Sequence, residues 1–348
     1  HGEIRKRVIA NMLGALAQAC PELSSADIQR TSFHNLLGGV DPRTAREYVH
    51  YEWSAGGNGA FLENDGPSAM APIDWGDLMT AQSAEVLETR YPLHVPWSGQ
   101  AADSGGPGRT RGGLATRRAL QLEYGEAKYS LLADGAVVPA FGVLGGESGS
   151  AVGSYIHTDD QDVPFPTPGK IGGHAMRAGD VIVLQSAGGG GYGDPLERDT
   201  ALVLEDVQNG YVSLEQAEMA YGVVIRDGEV HPDETREQRV RLRAARLELS
   251  VNEVATEHTF EAVGRGKKRI ARLHDADAAT LKLQHDALVE LLAPGGAPMR
   301  AWLRIDAAQT RGQVSLDERA FKTLSVVLGA SVRVRPVYAP LLEVRAPL

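Results

Sequence analysis

The chain has 348 residues, enough for two domains, and its 43% hydrophobic content is ordinary for a globular protein. A formal net charge of −10 argues against nucleic acid as a partner, and the single Cys20 excludes an intramolecular disulfide framework or a cysteine-based zinc site. No apolar run approaches the ~18 residues that span a membrane and no signal-peptide pattern is present, so a soluble cytoplasmic protein without a membrane partner is expected.

The opening His1-Gly2-Glu3 lacks an initiator Met and reads as a segment of something longer. Residues 3–19 place Ile4, Val8, Met12, Leu16 and Ala19 on one helical face, and Pro21 marks the stop. Cys20 follows that helix end and reads as a buried structural residue. Thr31 to Gly39 is an extended segment in which His34-Asn35 reads as a satisfied core pair. Glu47 to Trp53 is strand-like, with Tyr48, His50 and Glu52 opposite Val49, Tyr51 and Trp53. Residues 54–80 have no regular pattern, but Trp53, Phe61 and Trp75 in or beside them favour an ordered loop lining a pocket or an interface.

Short strand-like runs follow at 120–124, 128–132, 137–143, 154–157 and 181–185, separated by Gly, Pro or Asp as in an antiparallel sandwich or barrel. A helix is predicted over roughly 198–207, Ser213-x-x-Gln216 is a loose capping box, and 233–249 reads as a charged helix with a thin apolar stripe. Beyond it the pattern runs strand, helix (275–292), strand (299–305), helix (316–326), strand (331–337). The expected class is α+β: a strand-rich mixed core with flanking helices and a small C-terminal α/β appendage. The expected divisions are 1–230, a charged helical linker over 231–254, and a small α/β domain over 255–348.

The densest motif is Ser186-Ala187-Gly188-Gly189-Gly190-Gly191-Tyr192-Gly193-Asp194-Pro195. Gly188, Gly190 and Gly193 fit G-x-G-x-x-G between a strand and a helix, the dinucleotide fingerprint. A true fingerprint starts its helix within the glycines, facing the pyrophosphate, whereas here Asp194-Pro195 intervenes. No acidic residue about 20 positions on ends a second strand. A tight strand-to-helix crossing packed against another surface is the better reading. Gly106 to Gly113 resembles a phosphate loop in composition but lacks its lysine. His157-Thr158-Asp159-Asp160-Gln161-Asp162 lacks the glycine and closing glutamate of a calcium loop and reads as a solvated acidic turn. The residues alone define no self-sufficient catalytic site.

The order of several blocks resembles the hydantoinase B/oxoprolinase family over about residues 1–230. Among them are Asn35-Leu36-Leu37-Gly38-Gly39, Tyr51-Glu52-Trp53-Ser54-Ala55-Gly56-Gly57-Asn58-Gly59, Asp65-Gly66-Pro67-Ser68-Ala69 and Asp103-Ser104-Gly105-Gly106-Pro107-Gly108. Phe141-Gly142-Val143-Leu144-Gly145-Gly146, the glycine loop through Asp194-Pro195, and Asp206-Val207-Gln208-Asn209-Gly210-Tyr211 complete the run.

The resemblance implies part of a multi-subunit, ATP-dependent cyclic-amide hydrolase of hydantoinase or 5-oxoprolinase type. The match is to the C-terminal half of the B-type subunit. The expected partners are an A-type ATP-binding subunit and the N-terminal half of the B-type subunit, in a hetero-oligomer. ATP/Mg and a divalent metal would then be held by other chains or by that N-terminal half, and no metal ligand is carried over to this chain. An ATP-dependent ketone carboxylase (acetone or acetophenone type) and a non-catalytic docking subunit are the alternatives. On this reading Asn35, Glu52, Asn58 and Asp65 face a pocket or interface, while Gly188, Gly190, Gly191, Gly193 and Asp194 serve glycine-loop packing or subunit contact.

Overall fold

The computed structural model describes residues 2–71, 81–252, 260–263, 266–294 and 297–338. Asp74, Trp75 and Asp77, from the long loop of the sequence reading, lie outside them. The first helix, α1 (Gly2–Ala19), forms as its periodicity predicts, with the opposite burial. Lys6, Ala10 and Ala17 pack inward, while Ile4, Val8, Met12 and Leu16 are exposed. Cys20 is only half-buried, because a short 3-10 turn at Pro21–Leu23 leads the chain away along the surface.

Next come β1 (His34–Asp41), β2 (Arg46–Trp53), α2 (Ala84–Arg90), β3 (Leu93–His94), β4 (Ser98–Gln100), β5 (Thr116–Leu122) and β6 (Glu126–Leu132). They are followed by β7 (Tyr155–Thr158), β8 (Gln161–Pro164), β9 (Lys170–Arg177) and β10 (Val181–Gln185). One sheet has the order β2-β1-β6-β9; the other has β3-β5-β10-β7-β8, with β4 also on β5. Leu37, Tyr129, Leu131 and Met176 of the first share one core with Leu120, Leu122, Ile156, Ile182 and Leu184 of the second. The run at 137–143 is not a strand. Its apolar residues enter a bundle of irregular segments described below. The 157–162 acidic turn is the tip of the β7–β8 hairpin, with Asp159 and Asp160 at positive φ and His157 paired to Asp162 at 2.8 Å.

Capped helices follow the glycine loop: α3 (Thr200–Gln208) by Asp199, and α4 (Leu214–Met219) by Ser213, whose Oγ accepts from the Gln216 N–H at 3.1 Å. A two-strand ladder, β11 (Ile225–Arg226) and β12 (Glu229–Val230), leads to α5 (Pro232–Ala244). The charged helix ends there. Residues 247–249, read as helix, open β13 (Leu247–Asn252).

β13 belongs with β14 (Phe260–Val263), β15 (Gly266–Leu273), α6 (Asp275–Thr280), β16 (Leu288–Leu292), β17 (Met299–Ile305), β18 (Gln313–Ser315), α7 (Glu318–Leu324) and β19 (Ser331–Pro336). The pairings β15-β17-β16-β19-β13-β18 return to β15, so six strands close a barrel around Leu249, Leu273, Leu291, Leu303 and Val334. The class is α+β, and its C-terminal part is this barrel. Residues 288–292, read as the end of a helix, are strand: Leu-Val-Glu-Leu-Leu fits both periods, and alternation won.

Candidate functional site: a glycine-walled bundle and a buried polar end of the sheet pair

Six irregular segments, near residues 26–30, 55–60, 65–70, 104–114, 140–150 and 186–193, cross one another at backbone distance. The last lies among the others. The Gly188 N–H donates to Ser150 O (3.2 Å), Gly189 to Gly113 O (3.0 Å), Gly190 to Asp27 O (2.9 Å), Gly191 to Glu147 O (2.9 Å), Tyr192 to Thr110 O (3.0 Å) and Gly193 to Val143 O (2.9 Å). Six successive amides are thus consumed by main-chain carbonyls, and none is left to cradle a phosphate. The residues do not fit a nucleotide at this loop.

The glycines from 188 to 191 are there because nothing else fits between the segments of this bundle. A Cβ at Gly188 would lie 1.8 Å from Ser104 O, at Gly189 1.9 Å from Asn58 O, and at Gly190 1.9 Å from Phe141 O. At Gly191 it would lie 2.2 Å from Pro107 O. Gly193 differs: its φ of +72° suits glycine and turns the chain out of the bundle. Asp194 then caps the turn at Pro195–Glu197 and accepts from Arg246 Nη2 at 2.6 Å. Burial pushes the Asp194 carboxyl up, but the Arg246 guanidinium outweighs it and holds it below its ordinary value.

The four candidate pocket residues fall into two groups. Asn58 and Asp65 belong to the bundle. Asn58 Nδ2 donates to Ala71 O at 3.1 Å. Asp65 takes both Nη groups of the buried Arg198 at 2.7 Å and the Arg111 N–H at 2.6 Å, while Arg198 also reaches Asp206 at 2.8 Å. Asp65 therefore ties the bundle to α3. Burial raises its carboxyl, and Arg198 with Arg111 outweighs that and lowers it.

Asn35 and Glu52 sit together. The β1–β2 register sets Asn35 opposite Glu52 and Leu37 opposite His50, all on the face toward the second sheet. Across the core, Arg118 of β5 donates from Nη1 to Glu52 Oε1 at 2.7 Å and from Nη2 to Gln82 O at 3.2 Å. His50 Nε2 lies 3.3 Å from Glu52 Oε2. Beside this ion pair Asn35 is fully buried, and neither its Nδ2 nor its Oδ1 has a hydrogen-bond partner. His34-Asn35 is therefore not a satisfied core pair. Neighbours on a strand face opposite ways, and His34 turns outward to stack on Tyr51 at 6.0 Å.

Each orphaned buried group costs about 1–3 kcal/mol, so an amide with both ends free is a costly group to bury, and this keeps Asn35 as a candidate. His50 and Arg118 were missed in the sequence. His50 was legible as the middle of the polar half of the β2 alternation, but Arg118 carries no spacing signal. A groove of about 910 Å³ elsewhere, beside Gly38, Lys128, His174 and Arg177, includes none of the four candidates. Among the described residues no three His, Cys, Asp or Glu side chains converge as a metal site requires, and no helix is long and apolar enough to cross a membrane.

Residues 1–195 match the family described as hydantoinase B/oxoprolinase. The chain is 34% identical over 232 residues to the beta subunit of the caprolactamase of Pseudomonas jessenii, covering 63% of this chain and 38% of that one. The crystal structure of that ATP-dependent caprolactamase superposes with a TM-score of 0.58 at 31% identity, over 65% of this chain and 40% of the other. The B-type chain of a putative D-/L-hydantoinase from a Pseudomonas strain is 28% identical, over 64% of this chain and 36% of its own length. The acetone carboxylase alpha subunit of Xanthobacter autotrophicus is also 28% identical, over 58% of this chain and 30% of its own. The chain thus spans well under half the length of these relatives. Its glycine bundle, sheet pair and polar end all lie within or beside the matched region, and the chain belongs to the hydantoinase B/oxoprolinase family.

Proposed function

We propose that this chain is a subunit, or part of one, of a multi-chain enzyme that hydrolyses a cyclic amide at the expense of ATP. The observation that carries the reading is the 34% identity to a caprolactamase beta subunit, supported by the matching fold. Nucleotide and Mg belong on an A-type partner, a reading supported by the fingerprint-like loop Gly188–Gly193, whose amides are consumed internally. A divalent metal belongs on another chain or on the remainder of the B-type architecture. Within this chain the Asn35 carboxamide, beside Glu52–Arg118, offers a donor and an acceptor side by side. That pair complements the N–H and C=O of a cis amide, the geometry a small ring imposes. Ketone carboxylation is the second reading, favoured by the acetone carboxylase alpha subunit among the relatives.

The test is turnover of caprolactam, hydantoin and 5-oxoproline by the assembled enzyme with and without ATP, set against bicarbonate-dependent loss of a ketone. Amide opening that requires ATP is expected; carboxylation without amide opening selects the second reading. In the same assay Asn35→Leu should lower turnover about tenfold or more without loss of thermal stability. An apolar near-isostere removes two unpaired polar atoms, while about 1.4 kcal/mol of lost hydrogen bonding is a factor of ten. Unchanged turnover in Asn35→Leu would make this end of the sheet pair structural and favour a docking role.

A further inference from the structure

An amphipathic helix at a protein surface buries its apolar stripe and shows its polar face to water. In α1 the arrangement is reversed. Ile4 is 69% exposed, Val8 53%, Met12 59% and Leu16 46%, and these residues recur every four positions along one ridge. The side toward the protein carries Lys6, whose Nζ donates to Ser32 Oγ at 2.8 Å, together with Ala10 and Ala17. Leu23, just past the helix, is 83% exposed.

The reversal continues on the β1–β2 hairpin. The polar half of β2 points into the core, so Leu36, Val40, Val49 and Tyr51 are left on the outer face. The two elements touch at the first turn of α1, where Glu3 Oε1 accepts from the Ser32 N–H at 2.7 Å and lies 3.4 Å from His34 Nε2. A row of four large apolar side chains along one exposed helix face is the kind of surface that marks a protein contact.

We propose that the α1 ridge is the seat of the part of the hydantoinase B architecture that lies outside these 348 residues, held there by a helix laid along Ile4, Val8, Met12 and Leu16. Well over half of the caprolactamase beta subunit falls outside the match, and a covering of that extent is what we assign to this ridge. α1 is inside the matched part. A ridge of residues four apart is the element that interdigitates with another helix. A second copy of this chain on the same ridge would leave that larger part unseated. The inference rests on the reading of the chain as part of a multi-chain enzyme, and it concerns packing rather than chemistry.

The experiment places a benzoylphenylalanine photo-cross-linker at position 12 of the assembled enzyme and identifies the cross-linked peptide by mass spectrometry. Expected is a peptide from polypeptide outside residues 1–348 that belongs to the B-type architecture. A cross-link to a second copy of 1–348 overturns the assignment, as does no cross-link while Met12 of the unlabelled enzyme is oxidised by hydroxyl radicals as readily as a free methionine. Val8→Glu with Met12→Glu should weaken retention of that polypeptide at least 100-fold, and unchanged retention contradicts the proposal. If amide turnover fails while the cross-link forms as expected, the function is wrong and the docking surface stands.

Discussion

Gly190→Ala should give no folded protein, or one destabilised by more than about 4 kcal/mol, beyond the usual range for a single substitution. The added methyl would meet Phe141 O at 1.9 Å and its carbonyl carbon at 2.5 Å. Phe141 cannot retreat, because its carbonyl accepts from the Asp27 N–H at 3.0 Å while Gly190 itself donates to Asp27 O and accepts from Ala60, both at 2.9 Å. Any movement that makes room breaks buried main-chain hydrogen bonds, and each broken bond leaves an orphan. Gly172→Ala is the control. Nothing lies within 4 Å of its added Cβ, so its effect should stay within about 0.5 kcal/mol. Thermal or urea unfolding compares the two. A Gly190→Ala chain that assembles normally but raises the enzyme's ATP requirement would restore the nucleotide reading of the loop.

Glu290→Gln should be the most damaging conservative change in the barrel, at about 3–5 kcal/mol. Glu290 is fully buried and stands in strand register with Arg300 on one side and Arg335 on the other. Its Oε1 accepts from Arg300 Nη2 and its Oε2 from Arg335 Nε, both at 2.9 Å. The same guanidiniums carry the barrel onto the glycine bundle. Arg335 donates to Gly145 O at 2.8 Å and Gly146 O at 2.7 Å, and Arg300 donates to the carbonyls of Pro139 and Ala140. A neutral amide would leave two largely buried cations side by side, with only the Glu147 carboxylate, 3.8 Å from Arg335, nearby.

Burial pushes the Glu290 carboxyl up, yet Arg335 and Arg300 outweigh it and hold it below its ordinary value. A depressed carboxylate contributes its stability above the unfolded-state value, and that contribution fades as pH falls through the folded one. Melting temperature should therefore drop below about pH 4.5 in the wild type, while Glu290→Gln loses this part of the dependence. Equal melting temperatures at neutral pH would show that the triad does not hold the barrel.

What was legible in the sequence was local. The extent of α1, its stop before Pro21 and the strand 47–53 all follow from periodicity, a proline and alternation. Which side faces inward did not follow. An amphipathic pattern names two faces and leaves open what each one meets, so the outward ridge of Ile4, Val8, Met12 and Leu16 needed the fold. The polar inner face of β2 escaped for the same reason, and with it His50.

The glycine clusters were visible one by one, but their convergence was not. Gly190 meets Asp27 and Ala60, and Arg198 meets Asp65, through hydrogen bonds that no local pattern encodes. The apolar run at 137–143 took strand-like residues into a place where the backbone pairs with several segments in turn. The family resemblance reached further than residue physics, because it reads the order of blocks rather than their contacts.

Amide hydrogen exchange of Gly188–Gly193 tests the central claim most directly: this loop is a packed core segment rather than a phosphate cradle. All six N–H groups are hydrogen-bonded to buried main chain. They should exchange among the slowest in the chain without nucleotide, and addition of Mg-ATP should leave them unchanged. Fast exchange in the free protein, with protection appearing only when Mg-ATP is added, would contradict the account.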